Sequence, residues 1–404
     1  MKQKNLFFRS AIALSLMAAT ALHATNGDTI IGVGAKTRAM GGAGIALSHG
    51  AESTLVNPAL ITAIKETEIS FGGTIFMPTI KTEIVGFSPN AGESAADISV
   101  IPAVAIASQF SPGFYAGIGM WGTAGMGTDF RDRPDLMKME TTLQLMQFAV
   151  PLAYKSGGFS VGVAPILQYG SLDIHYTMPA MMGGANIGSG QAQDFGFGAS
   201  MGLTYDFGAG FTVGAVYKSE IEMKYGTSLT TATGPFAAMP GFPAIADTLT
   251  QPAEIGIGLG YTDGTHSFAL DYKRIKWSDA SGYKQFGWED QNIFAMGYEY
   301  KQDNWAVRLG YNHASSPVKI FPDTSPGNAA LNMFNLLGFP ATAEDHYTVG
   351  GSYAFNDSFS MDLAMVYSPE SKTSSALSAM FGPGAEIKNT HSEFGATIQL
   401  NYTF

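Results

Sequence analysis

The chain has no cysteine and little charge. Without a thiol in its 404 residues it can build neither a disulfide framework nor a thiolate metal site. Charged residues make up only 14% of it, against roughly 25% in soluble domains. The net charge of −11 disfavours a nucleic-acid partner, and none is expected. Beyond residue 24 no segment offers about 18 consecutive apolar residues, so helical membrane spans are excluded. Glycine (49), phenylalanine (27) and tyrosine (17) are plentiful instead. Low charge with that excess suits strands of which one face meets lipid.

The N-terminus carries Lys2, Lys4 and Arg9, then an apolar run from Ala11 to Leu22 that ends Leu22-His23-Ala24. A basic start, a short apolar centre and a small residue at the exit predict a secretory signal peptide over 1–24, cleaved after Ala24. The apolar run is too short for a bilayer anchor.

From residue 68 onward the sequence alternates. Phe394, Ala396, Ile398, Leu400, Tyr402 and Phe404 share one face, with Glu393, Gly395, Thr397, Gln399, Asn401 and Thr403 on the other. Such period-two alternation is a strand with one apolar and one polar side. About fourteen strands are expected, near 68–78, 98–109, 113–124, 140–155, 158–175, 194–206, 210–225, 253–262, 265–277, 290–301, 304–314, 346–355, 358–368 and 393–404. Connections alternate between tight turns, such as Gly157-Gly158 and Asp263-Gly264, and long loops. An even strand count with turns at one end and long loops at the other predicts an all-β fold, a transmembrane antiparallel β-barrel over 68–404. The aromatic C-terminal residue, Phe404, resembles the assembly signal of bacterial outer-membrane proteins, so that membrane is the expected location, with lipid as a partner.

Residues 25–67 do not alternate. They hold a glycine-rich stretch from Gly32 to Gly44, a helix-like stretch from Ile45 to Leu55, and then Asn57-Pro58, which ends any helix near Val56. Fourteen strands enclose a lumen that must be filled or leak, so this segment is expected to fold inward as a plug. A phosphate loop is excluded, because neither GxGxxG nor GxxxxGK[ST] is completed there. The register places Asp271, Lys273, Glu299, Arg308 and Asp362 in the lumen. Two readings stay open for them. The charges satisfy one another and pin the plug, because unpaired buried charge is costly. Alternatively, Lys273 or Arg308 receives a carboxylate head group. Three long loops carry apolar clusters around Met181, Phe236 with Phe242, and Phe334. They form exposed apolar patches that mark a binding site, or pack on one another over the barrel mouth, and the two readings are compatible. The third strand is rich in glycine, including Gly125 and Gly127, which permits a bulge or kink.

Several stretches together resemble the long-chain fatty acid transporter (FadL) family, which includes outer-membrane carriers of aromatic hydrocarbons. They are Arg38 with Gly41-Gly42-Ala43, then Asn57-Pro58-Ala59, and Gly125-Met-Gly-Thr-Asp-Phe130. Gln251-Pro-Ala-Glu-Ile-Gly256, Arg308-Leu-Gly-Tyr311 with Ser316-Pro317-Val318, and His346-Tyr-Thr-Val-Gly350 complete the set. The resemblance covers essentially the whole mature chain. It implies a monomeric fourteen-stranded barrel closed by an N-terminal hatch, with no cofactor and no energy-coupling partner. Hydrophobic ligands (fatty acids, alkanes or aromatic hydrocarbons) would be caught by the loops, held in the lumen and released sideways where the third strand is kinked. Arg38, Asn57, Pro58, Ala59, Gly125 and Gly127 then belong to the hatch and its gating. The competing class is a plugged or gated porin for small polar solutes, which the apolar loops disfavour. No enzyme is expected: the seven histidines are scattered, and neither a GxSxG nor an HExxH motif is expected.

Overall fold

Alternation builds the wall, and burial shows which side faces in. In the last strand Ile398 is 56% exposed and its neighbour Gln399 only 2%. The sheet hides Thr397, Gln399 and Asn401 and shows Phe394, Leu400 and Tyr402. That is a soluble sandwich turned inside out, as lipid around the wall requires. The computed structural model describes residues 25–404; the signal peptide expected over 1–24 lies outside the described residues.

Fourteen wall strands follow in chain order, each antiparallel to the next. They are β1 (Glu68–Val85), β2 (Ser99–Ser111), β3 (Phe114–Asp129), β4 in two segments (Glu140–Ala149 and Leu152–Ser156), β5 (Phe159–Thr177), β6 (Ala192–Gly208) and β7 (Phe211–Lys218). The second half comprises β8 (Glu254–Thr262), β9 (His266–Ile275), β10 (Gln291–Gln302), β11 (Trp305–Ala314), β12 (Asp345–Ala354), β13 (Phe359–Ala376) and β14 (Glu386–Thr403). Strand β14 closes on β1 along all 18 residues of each, from Glu386 opposite Val85 to Thr403 opposite Glu68. Closure removes the edges that lipid could not satisfy. Rings such as Phe114–Tyr154, Phe211–Tyr261, Tyr300–Trp305 and Tyr402–Phe404 pair around the turn end, and Tyr169–Phe195, Tyr272–Phe294 and Tyr311–Tyr347 pair nearer the loop end. These are the two aromatic girdles of a membrane barrel.

The wall departs from the sequence reading at several strand ends, among them β3, which runs on to Asp129, and β4, which is split at Val150-Pro151. Strand β1 runs on to Val85, and β13 and β14 lengthen toward each other, so that only Leu377–Ala385 joins them. Strand β7 stops at Lys218 rather than 225, because the chain then bridges to its own returning loop at Ile221–Gln251 and Lys224–Thr248. Among the helices of the long loops, α2 (Ser228–Thr233), α3 (Pro326–Gly338) and α4 (Ser378–Phe381), the longest went unforeseen. Helix α3 is buried from Ala329 to Gly338, so it shows no polar stripe that would betray its period.

Residues 25–67 run inside this wall. Thr25–Asn26 and Thr29–Ile30 form a minimal hairpin, followed by helix α1 (Ala35–Ala39, numbered first in chain order) and two 3-10 helices, Gly50–Leu55 and Pro58–Ala63. The expected helix from Ile45 to Leu55 is therefore halved. Its first part is held open because Asp271 Oδ2 on β9 accepts the N–H groups of Gly44 (2.7 Å) and Ile45 (2.9 Å). Pro58, expected to end a helix near Val56, also opens the second 3-10 helix at its first position, where its missing N–H costs nothing.

Gly42 shows how tightly the segment is fitted. Its φ is +81°, and a Cβ there would lie 1.6 Å from the Ile31 carbonyl oxygen. Gly42→Ala is expected to unseat the segment without unfolding the wall. Single-channel conductance in a planar bilayer should rise while heat-modifiable migration on a denaturing gel persists; unchanged conductance would show that the segment does not close the lumen.

Candidate functional site

The inner segment meets the wall through polar groups that a lone barrel would leave unpaired. Glu52 accepts from the Thr37 N–H and hydroxyl, both at 2.8 Å, and from Gln399 Nε2 of β14 at 2.7 Å. Lys36 Nζ stands 3.7 Å from Asp362 of β13. Asp362 also accepts from Asn401 Nδ2 (2.5 Å) and Ser352 Oγ. Asn57 is buried, and its Nδ2 donates to the carbonyls of Ile45 (2.8 Å), Leu203 (3.3 Å) and Ala215 (3.4 Å). Its Oδ1 caps the second 3-10 helix by accepting from the Ala59 N–H at 3.0 Å. Asn57-Pro58-Ala59 is thus a cap, a first-turn proline and a small residue. Asn57 lies against Gly202 of β6 and Pro58 against Gly162 of β5, where a Cβ would collide with them.

Those two glycines also end Gly158-Phe-Ser-Val-Gly162 and Gly198-Ala-Ser-Met-Gly202, two stretches that do spell GxSxG. Neither is a nucleophile elbow, which needs a strand-to-helix turn. Ser160 and Ser200 lie within wall strands, and Ser160 Oγ accepts from Thr62 Oγ1 at 2.9 Å.

One cavity lies between the segment and the wall, and another lies among the wall and the long loops. The deeper one, about 80 Å³, is lined by the apolar Ile30, Val33, Ile45, Leu55, Val56 and Ile166 and also by Lys218, Gln251, Glu254 and Lys273. Lys218 pairs with Glu254 at 3.4 Å, while Lys273 has no carboxylate within 4 Å among the described residues. Among the lining residues two lysines stand against one glutamate, with Asp271 two residues from Lys273 on the same strand. The upper cavity is apolar, lined by Met126, Leu172, Leu229, Leu249, Tyr283, Phe286, Trp288 and Phe339. Between the two, Asp28 accepts from the Tyr283 hydroxyl and from Gln251 Nε2 (3.0 Å). Burial and the adjacent Asp28 carboxylate push the Tyr283 phenol well above its usual range, so it stays a donor.

The wall itself is interrupted beside these cavities. Strand β3 pairs with β2 only from Phe114 to Trp121, which faces Ala103. On its other edge the register with β4 shifts between Gly122 and Ala124, leaving Thr123 as a bulge. Toward the loops, the edge that β2 abandons is met from inside. Thr29 pairs with Ala124, and the Gly125 N–H donates to the Asp28 carbonyl at 2.9 Å. The two sides rejoin only where the Ala95 N–H reaches the Asp129 carbonyl at 2.8 Å. From Trp121 to Asp129 that is about 25 Å of strand without its wall neighbour.

The residues singled out in the sequence are dispersed by this arrangement. Lys273 lines the deeper cavity, but Arg308 does not. Its Nη2 is 2.5 Å from Glu299 Oε2, its Nη1 donates to Ser352 Oγ at 2.5 Å, and Asp362 is 4.0 Å away. Phe236 and Phe334 are buried rather than water-facing. Phe236 stacks on Tyr176 and neighbours the half-buried Phe242, and Phe334 stacks on Phe286. Met181 alone is largely exposed, on the rim. Arg38 is fully buried in α1 and donates to the Gly32 carbonyl at 3.3 Å. Gly125 and Gly127 flank a second small void with Thr25, Phe76 and His391. Lys218, Glu254, Asp28 and Tyr283 were missed, although Glu254 stands inside the quoted Gln251-Pro-Ala-Glu stretch.

A closed barrel with aromatic girdles, a filled lumen and an interrupted wall defines a transport barrel of the bacterial outer membrane rather than an enzyme. The chain belongs to the outer membrane protein transport protein (OMPP1/FadL/TodX) family, whose model matches residues 11–404. It is 26% identical over 468 aligned residues to the long-chain fatty acid transport protein of Escherichia coli O6:H1, covering 100% of both chains. Its fold resembles that of a Pseudomonas aeruginosa FadL homologue (TM-score 0.73, 16% identity, 94% of this chain and 100% of that one). It also resembles the Pseudomonas putida toluene transporter TodX (TM-score 0.68, 17% identity, 92% and 99%).

Arg308 is predicted to be a structural ion. Arg308→Ala would leave Glu299 without its cation, while Asp362 keeps Lys36, Asn401 and Ser352, and would cost about 3 kcal/mol. A lowered temperature of gel-shift unfolding with unchanged fatty acid affinity is the expected result.

Proposed function

We propose that the protein carries amphipathic carboxylates, long-chain fatty acids, across the outer membrane by passive diffusion. The observation that carries this is Lys273, with no carboxylate within 4 Å among the described residues, in the lining of the deeper cavity together with its apolar residues. A carboxylate there would take a charge-assisted hydrogen bond. The chain behind it would lie on Ile30, Val33, Leu55 and Ile166, each buried methylene contributing about 0.8 kcal/mol. The exposed Met181 on the rim, with the half-buried Phe242, supplies first capture, and the aromatic pocket beside Trp288 leads inward. The cavity of about 80 Å³ is well short of the ~300 Å³ at which ligand sites begin, so a bound chain has to displace part of residues 25–67. Since that segment blocks the axial route, exit runs sideways through the unpaired stretch between β2 and β3, with the turn end facing the periplasm.

A second reading is favoured by the upper cavity, whose rings and aliphatics offer no charge. That cavity holds only about 20 Å³, so it would have to open to take a neutral aromatic hydrocarbon, the cargo named for the toluene transporter, which would need neither lysine.

Lys273 separates the two. Lys273→Ala is expected to weaken binding of a long-chain fatty acid by roughly tenfold or more, read by direct titration of the purified barrel, and to leave toluene binding unchanged. Equal affinities for both ligands in mutant and parent would remove the head-group role.

A further inference from the structure

The first described residue, Thr25, is not at the surface. Thr25 and Asn26 are buried at 3% and 1% exposure, inside the lumen. The Thr25 nitrogen lies 3.2 Å from Glu393 Oε2, which projects inward from β14. Glu393 is itself wholly buried. Its Oε2 also meets His346 Nε2 at 3.0 Å, and its Oε1, 3.3 Å from His391 Nε2, accepts no hydrogen bond. No lysine or arginine comes within 4 Å of it among the described residues; Arg38 is the cation that faces it from further away. As an amide, the Thr25 nitrogen offers that carboxylate one neutral donor. A buried carboxylate met by one amide and one imidazole, with its second oxygen unbonded, is an expensive arrangement.

The sequence places the end of the signal peptide at Ala24. Cleavage there turns the Thr25 nitrogen from an amide into an α-ammonium with three donors and a full charge. We propose that signal-peptide removal creates a buried ion pair between the new N-terminal ammonium of Thr25 and Glu393, and that this pair tethers the start of the inner segment. It rests on the cleavage site and not on which cargo is carried. A short ammonium–carboxylate contact is stronger than the amide bond it replaces, and it also offers a donor for Oε1.

The tether has a place in the architecture. Three residues beyond it, Asp28 and Thr29 bond to β3 at Gly125 and Ala124, across the stretch that β2 leaves open. The Thr25–Asn26 hairpin strand holds Thr29–Ile30 in position for this. An unprocessed chain, or one with extra residues before Thr25, would set its charge elsewhere and leave Glu393 uncompensated. Processing would thus complete the closure of the wall from within.

Chemistry at the α-amine tests this directly. N-terminal sequencing of the folded, purified barrel should begin at Thr25. Pyridine-2-carboxaldehyde, which condenses with free α-amines, should label folded wild-type protein at least about tenfold more slowly than folded Glu393→Gln protein. Should Glu393→Gln fail to fold, two alanines inserted between Ala24 and Thr25 serve instead; the displaced amine should label fast. A mature chain starting elsewhere, or equal labelling of wild type and variant, overturns the tether. Fatty acid uptake plays no part in these readings, so their failure is distinct from failure of the transport reading.

Discussion

Fourteen strands closed in lipid enclose more space than their own side chains fill, and the rest of the structure answers to that. The filling is backbone, and backbone brings N–H and C=O groups that must be paired in a dry interior. The wall provides the pairs: Asp271 takes two amides at Gly44 and Ile45, and Gln399 and Thr348 take those of Ala35 and Gly41. The polar inner face of the strands is therefore a complement to one particular folded segment, rather than the lining of a water channel. Glycine follows from the same demand, because helix α1 and its flanks run in contact with the wall.

The wall was legible because period two is written in every strand by residues that lipid and lumen select oppositely. Strand ends were less so. β13 and β14 continue past the membrane as a paired ribbon whose residues, Ser371 to Ala376 opposite Glu386 to His391, no longer alternate against lipid. Helix α3 was invisible for a related reason. Buried on all sides by loops, it has no polar face, and an apolar run without a period reads as loop. The inner segment was recognisable as non-alternating, but its helices were misplaced, since Asp271 overrides the local preference of Ile45 to His49.

The candidate site was only half legible. Lys273 and Arg308 have the same inward register and the same charge, and nothing in the local sequence separates them. What separates them is a cross-strand neighbour. Arg308 stands opposite Glu299, whereas Lys273 stands opposite Gly256 on one side and Ile293 on the other, and so keeps its charge for the cavity. The interruption between β2 and β3 was foreshadowed by glycines but located by Thr123, which is not one. A bulge is a property of a ladder, and a single strand does not display it.

If the lumen is filled and the cargo leaves through the wall, joining β2 to β3 must stop it. The Cβ of Ile101 lies 3.8 Å from where a Cβ on Gly122 would stand, a separation that a disulfide spans, and the chain has no cysteine to interfere. The decisive measurement is fatty acid uptake by cells carrying Ile101→Cys with Gly122→Cys, oxidised and then reduced. The account predicts that uptake ceases on oxidation and returns on reduction, with each single variant unaffected. Uptake at the same rate in both states would contradict lateral release.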